Sequence, residues 1–290
     1  MLAGIAFYLQ VVDGALFVAG TLTGLLVVLR ILSNGRWRNP LPATEISVGG
    51  PQPALALGIL LLFFMLPLFA TQGTLGNLPE SSAETFPQPG SDTWHRLQLV
   101  DSLTKLGLCT IMVIVLYLTR VPQRSRKKLS TGLLAGVLGT LILIPWVTLQ
   151  LKMGVVVWDW VQPAAAPPEH PVLEALAADT WGRWGVVQLV VSAVVIAPLA
   201  EELLFRGVLL GSLWQYFRLP WTAIVLSSLA FGWVHAYQPQ AVLPMMTMGV
   251  VLGYLRLRTG RLWPCVLVHA LFNARTIAFN LLAPELVSAA

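Results

Sequence analysis

Ala197-Pro198-Leu199-Ala200-Glu201-Glu202-Leu203-Leu204-Phe205-Arg206-Gly207 lies in the middle of a long apolar segment, 186–218. Two adjacent carboxylates and one guanidinium stand there among Val, Leu, Ile and Ala. On a soluble helix they would form an ordinary charged patch. In a bilayer each charge costs at least ~2.5–3.5 kcal/mol at depth, so it needs a partner and usually a purpose. Helical spacing divides the roles. Glu202 and Arg206 stand four apart with the acid N-terminal to the base, the favourable order for an ion pair. Glu201 lies ~100° further round the helix, because ~3.6 residues make a turn, and is less well aligned with Arg206. The spacing predicts one neutralised carboxylate, Glu202, and one left for chemistry, Glu201.

The surrounding chain is built of the same material. Of 290 residues, 56% are hydrophobic and 11% charged, with a mean hydropathy of +0.75. A soluble domain carries ~25% charged residues. The chain therefore reads as an all-α, polytopic transmembrane helix bundle. Eight candidate spans follow in order: within Ile5–Leu32, then Pro53–Ala70, Leu97–Leu118, Gly132–Trp158, Val186–Phe205 continuing to Phe217, Trp221–Tyr237, Ala241–Leu255 and Leu262–Leu282. The first six residues have no positive n-region and read as the start of a span, not a cleaved signal peptide. Two polar loops, reaching to about Arg96 and over Asp159–Arg183, divide 1–184, which holds no identifiable motif, from 185–290. The second loop is short enough for one integrated membrane domain. Cys109 and Cys265 both lie in apolar segments, so no disulfide framework is expected.

A net charge of +5 and a pI near 9.6 invite a nucleic-acid reading, but the basic residues fall in loops between apolar spans. Topology explains them better. Arg30, Arg36 and Arg38, then Arg120, Arg124, Arg126, Lys127 and Lys128, then Arg206 and Arg218, then Arg256, Arg258 and Arg261 alternate along the chain. They make 13 of the 18 Lys and Arg, against Arg96, Lys152, Arg183 and Arg275 on the opposite side. Both termini are accordingly expected away from the cytoplasm. Trp158, Trp160, Trp181 and Trp184 would mark one interface, and Trp214, Trp221 and Trp263 the other.

Two of the four histidines lie in apolar segments, within Phe231-Gly232-Trp233-Val234-His235 and His269-Ala270-Leu271-Phe272-Asn273. The i,i+4 spacing puts Phe231 behind His235 on one helix face, and Asn273 beside His269 on another. A single buried histidine is satisfied by bonding a neighbouring helix. Two of them, with two glutamates and an arginine on a third helix, are costly unless they converge. Such a set can activate water: a carboxylate accepts its proton, histidines position it, and an asparagine amide stabilises the developing oxyanion. Glu201, His235 and His269 could instead hold a divalent metal such as zinc. There is no His-Glu-x-x-His zinc motif and no Gly-x-Ser-x-Gly elbow.

Glu201-Glu202-x-x-x-Arg206, Phe231-x-x-x-His235 and His269-x-x-x-Asn273, in that order on three apolar segments, resemble the motifs of the CAAX protease and bacteriocin-processing family. That family of intramembrane proteases includes the type II prenyl-protein endopeptidases. The resemblance covers roughly Val186 to Leu282. It implies that Glu201 is the water-activating base, with His235, His269 and Asn273 completing the catalytic set, and with Glu202, Arg206 and Phe231 in support. It implies a hydrolase, glutamate-dependent or a metallopeptidase, acting on a peptide or membrane-anchored protein among membrane lipids. A prokaryotic inner membrane is the expected location.

Two other readings use the same residues. Ionisable groups in mid-membrane also serve transporters and proton-coupled carriers, although no internal repeat is visible. A non-catalytic, protease-like scaffold is the third, against which the intact motifs count. One geometric tension stands: counted at ~1.5 Å per residue from Trp214 and Trp221, Glu201 and His235 lie ~20 Å deep, whereas His269 is only ~9 Å from Trp263. Among the other charges, Asp101 and Lys105 are four apart and should neutralise each other, while Asp13 has no local partner.

Overall fold

The structure, a computed structural model, describes residues 2–33, 48–76, 91–120, 129–177 and 182–282. Among the described residues the regular elements are all helical: α1 (Leu2–Ser33), α2 (Pro53–Gly76), α3 (Asp92–Leu118), α4 (Leu129–Val161), the short α5 (Pro171–Ala177), α6 (Arg183–Phe217), α7 (Pro220–Trp233), α8 (Pro239–Thr259) and α9 (Trp263–Leu282). Seven of these are long and apolar enough to cross a membrane. The sixth expected span, Trp221–Tyr237, is the exception. Its helix α7 has 14 residues, ~21 Å at ~1.5 Å per residue, against a hydrocarbon core of ~30 Å. Pro239 sets an outer limit on α7, because the residue before a proline is pushed out of the α region and Gln238 has φ −119° and ψ 85°, but the helix itself already ends at Trp233.

Burial is graded along the chain. α2 is apolar all round, with a hydropathy of 2.5 and only 17% of its span buried, so most of its surface is left for lipid. α8 is half buried, and packs on α4 and α7. α4 also packs on α1 and α9, and its Pro145 stands inside the helix without ending it. Close helix crossings need small residues. A Cβ at Gly249 of α8 would come within 2.8 Å of Ser228 on α7, so only glycine permits that contact. The main core lies where α6 crosses its neighbours: Leu204, Phe205 and Val208 pack with Phe231 of α7, Met248 and Leu252 of α8, and Val268 of α9.

The packing corrects the tryptophan reading. Trp214 is 3% exposed in a cluster with Val48, Ile224 and Leu257. Trp263 packs against Gly132 of α4, and its indole nitrogen is buried. The Trp214 ring therefore does not serve as a depth marker, whereas that of Trp263 is only partly buried. Trp160 and Trp184 are largely exposed, whereas Trp181 lies outside the described residues. Arg206 also leaves the loop set, because α6 runs on to Phe217 and encloses it at 1% exposure. Of the other expected loop charges, Arg36, Arg38, Arg124, Arg126, Lys127 and Lys128 lie outside the described residues. Asp101 and Lys105 pair at 2.6 Å as expected. Asp13 finds a distant partner, Arg275 of α9, also at 2.6 Å.

Candidate active site

The quoted stretch is not a plain α-helix. Within α6, residues Ser192–Ile196 and Leu203–Leu209 form wider π-helical turns, which flank Ala197–Glu202. Proline 198 accounts for the first. In the π register the Ala197 N–H bonds to the Ser192 carbonyl, so the next bond would run from residue 198 to Ala193. Proline has no N–H to give. The Ala193 carbonyl accepts instead from Nδ2 of Asn273, at 2.8 Å. Asn273 thus completes the backbone ladder of α6 from a different helix.

The next turn carries the charges. Arg206 Nη1 donates to Glu202 Oε1 at 2.8 Å, the pair that the spacing predicts. The same oxygen lies 2.9 Å from Nδ1 of His269. Paired with arginine, the carboxylate is an acceptor, so the His269 hydrogen sits on Nδ1 and Nε2 is the free ring nitrogen. Nε2 faces Glu201 Oε2 at 3.9 Å, too far for a hydrogen bond. Glu202 is fully enclosed, whereas Glu201 is 21% exposed. The two carboxylates therefore differ as expected. Glu202 serves two partners, and Glu201 faces open space. Their Oε2 atoms, and Arg206 Nη2, have no hydrogen-bond partner among the described residues. Three such atoms gathered in one place are uncommon in a settled core.

Phe231 ties the parts together. Its fully buried ring lies 4.2 Å below the Arg206 guanidinium carbon, 4.9 Å from the ring of His235 and 5.8 Å from that of His269. A cation over an aromatic face is stabilised when water is excluded. His235 is not inside a helix. α7 has ended at Trp233, and His235 stands in the turn beyond it. Its contact with Phe231 is a cap: Nδ1 lies 2.8 Å from the Phe231 carbonyl, one of the acceptors a helix leaves open at its C-terminus. A carbonyl only accepts, so His235 also carries its hydrogen on Nδ1 and keeps Nε2 free.

Glu201 and His235 line one cavity of about 220 Å³, with Phe63, Phe64 and Pro67 of α2, the Asp101–Lys105 pair of α3, and Tyr237. The sequence reading left that ion pair as simple neutralisation. It is that, and it also walls the cavity. Tyr237 and His170 were not singled out at all. His170 precedes α5 and meets Tyr237 edge-on, with ring centroids 6.0 Å apart, and Tyr237 stacks on His235 at 6.3 Å. Burial first, and then the nearness of His235, push the His170 imidazole below its usual value, with Glu201 opposing and Lys105 adding. The Tyr237 phenol is pushed up to about 12, by burial and then by Glu201. No spacing rule links residue 170 to residue 235, so nothing in the sequence alone marked either side chain.

Among the described residues no three His, Cys, Asp or Glu side chains converge closely enough to hold an ion. Nδ1 of both histidines is engaged, which is also how a metal-ligating imidazole is held, Nε2 of each is left free, and Glu201 and His269 approach to 3.9 Å.

Residues 183–275 match the family model described as type II CAAX prenyl endopeptidase, Rce1-like. The chain is also 27% identical over 93 residues to YdiL of Bacillus subtilis (strain 168), which carries a provisional membrane-peptidase name. That match covers 32% of this chain and 37% of the relative's length. No solved structure matches. The chain is thus an integral membrane protein that is Rce1-like, and so CAAX-protease-like, over the segment holding all seven motif residues from Glu201 to Asn273.

Proposed function

We propose that the protein is an intramembrane endopeptidase in which Glu201 is the general base. One observation carries this reading: of two adjacent carboxylates, Glu202 is occupied by Arg206 and His269 while Glu201 faces the cavity. Glu201 takes a proton as water adds to a peptide carbonyl, forming the new C–O bond. The oxyanion is met by the amide of Asn273, whose second N–H is left after the first binds Ala193. As the C–N bond breaks, Glu201 returns its proton to the leaving amine. His235 and His269, each fixed through Nδ1, orient water and substrate through Nε2. The substrate is a peptide or a membrane-anchored protein, as the family description suggests.

The test is Glu201→Gln in the full-length protein in lipid. The substitution keeps volume and shape, so the protein should accumulate normally while peptide cleavage falls ~10²–10⁴-fold. His235→Ala and His269→Ala should be comparably inactive, because residues acting as one unit are not additive. A chelator should leave wild-type cleavage unchanged. Loss of activity that a divalent ion restores would replace this mechanism with that of a metallopeptidase. Wild-type turnover by Glu201→Gln would end the assignment of the base.

A further inference from the structure

His235 acts from a turn, not from a helix, and a turn does not by itself hold an imidazole still. One hydrogen bond, Nδ1 to the Phe231 carbonyl at 2.8 Å, fixes one ring atom but leaves the ring free to swing about it. The rings of Phe231 and Tyr237 limit that swing, at 4.9 Å and 6.3 Å. Phe231 is locked in the core, but Tyr237 is half exposed, and His170 packs on its ring. His170 is itself held in place. Its Nδ1 accepts the N–H of Val172 at the start of α5, at 3.2 Å. The segment before it is strapped to the same turn, since the Pro168 carbonyl accepts from Gln238 Nε2 at 3.3 Å and Gln240 Nε2 at 2.6 Å. The segment after it is anchored by Ala175 and Leu176, buried against Leu189 of α6 and Ile277 of α9.

We propose that His170 is a positioning residue for the reaction assigned to Glu201: packed on Tyr237, it holds the His235 imidazole in one orientation from a strap formed by residues 162–177. The inference rests on the endopeptidase reading, in which the direction of His235 Nε2 matters. Geometry of this kind is worth a great deal, because a misplaced catalytic group can cost up to ~10²-fold. The role belongs to the ring and not to its charge. The imidazole is kept neutral by its burial and by nearby His235 and Lys105, against the pull of Glu201.

The chain has four histidines, so side-chain NMR of histidine-labelled, full-length protein in lipid nanodiscs can follow His235 directly. In His170→Ala the His235 ring signals should shift or split into more than one orientation, and kcat should fall ~10–100-fold with KM little changed. His170→Phe keeps a ring against Tyr237 and should restore a single His235 signal, with kcat within ~3-fold of wild type. Tyr237→Ala should reproduce His170→Ala. If His170→Ala lowers only the melting temperature and leaves the His235 signals as they are, His170 is structural and the proposal is overturned. If His170→Phe fails to rescue a folded protein, the ring contact is not the cause and the proposal is again overturned. If the signals move as expected but wild type cuts no peptide, the endopeptidase reading fails while the packing relation between His170 and His235 stands.

Discussion

Glu202 shows what a single residue's spacing can and cannot reveal. Its bond to Arg206 follows from the interval of four residues, and the 2.8 Å contact agrees. Its bond to His269 spans 67 positions, and no local rule reaches that far. The consequence is a sharper expectation for Glu202→Gln. The change removes the counter-charge of Arg206 and the acceptor that sets the His269 tautomer, at a cost of ~3–5 kcal/mol by analogy with broken buried pairs. The purified protein should melt well below wild type, with low abundance in the membrane. A melting curve that overlays wild type would mean that the pair contributes little. The same contrast explains His235. Its type and its distance from Phe231 were legible, but its place beyond the helix end was not, since Pro239 bars the α region only at Gln238 and leaves His235 free to be helical.

At the scale of elements, the interruption in α6 can be tested through the backbone. Asn273→Ala leaves the Ala193 carbonyl without its donor, a loss of ~1–3 kcal/mol for a buried polar group. Pro198→Ala supplies an N–H at the position that the π register calls for. In the Pro198→Ala background, Asn273→Ala should therefore cost less stability, with a coupling of at least ~0.5 kcal/mol in a double-mutant cycle. Peptide cleavage should stay depressed in the double variant, because the oxyanion donor is still missing. Recovery of both would reduce Asn273 to a helix clamp. Additive stability losses would remove the clamp.

The strap over residues 162–177 gives a second element-scale expectation, this time in pH. His170 has a folded value below its ordinary 6.5, so the unfolded or undocked chain binds more protons than the docked one. The docked strap is then favoured above pH 6.5, and its advantage is lost as pH falls through that value toward the folded one. The groups that face His170 are His235, Tyr237, Glu201 and Lys105. Hydrogen exchange of the α5 amides should accelerate on acidification in wild type, and His170→Phe should flatten that dependence. An unchanged pH response in His170→Phe would assign the effect to another group.

For the whole molecule, the all-helical membrane architecture was legible from composition alone, and seven of the eight expected spans have helices of spanning length. What composition could not supply was which apolar faces meet. Trp214 illustrates this: it carries the composition of an interface but is packed inside. Orientation remains a proposal from the loop charges, now without Arg206. Reporter fusions after Arg38, Lys128, Arg218 and Arg261 should read as cytoplasmic, and those after Ser91, Ala178 and Ala290 as the other side. Two or more reversed reporters would break the arrangement. A short α7 makes the pair of fusions at Arg218 and Arg261 the most informative, since they report the same side only if the 14-residue α7 with the turn after it crosses as well as α8.

The bond between Asn273 and Ala193 also bears on how the protein is made. During synthesis the segment containing Ala193 is finished 80 residues before its donor exists. Until then α6 carries an open carbonyl opposite Pro198, and His269 has not yet arrived at Glu202. α9, made after α6, thus closes the backbone of α6 and sets the Glu202 carboxylate at the same moment. A ribosome-bound chain stopped short of residue 269 would hold both Glu201 and Glu202 with neither the His269 bond nor the donor to Ala193 in place.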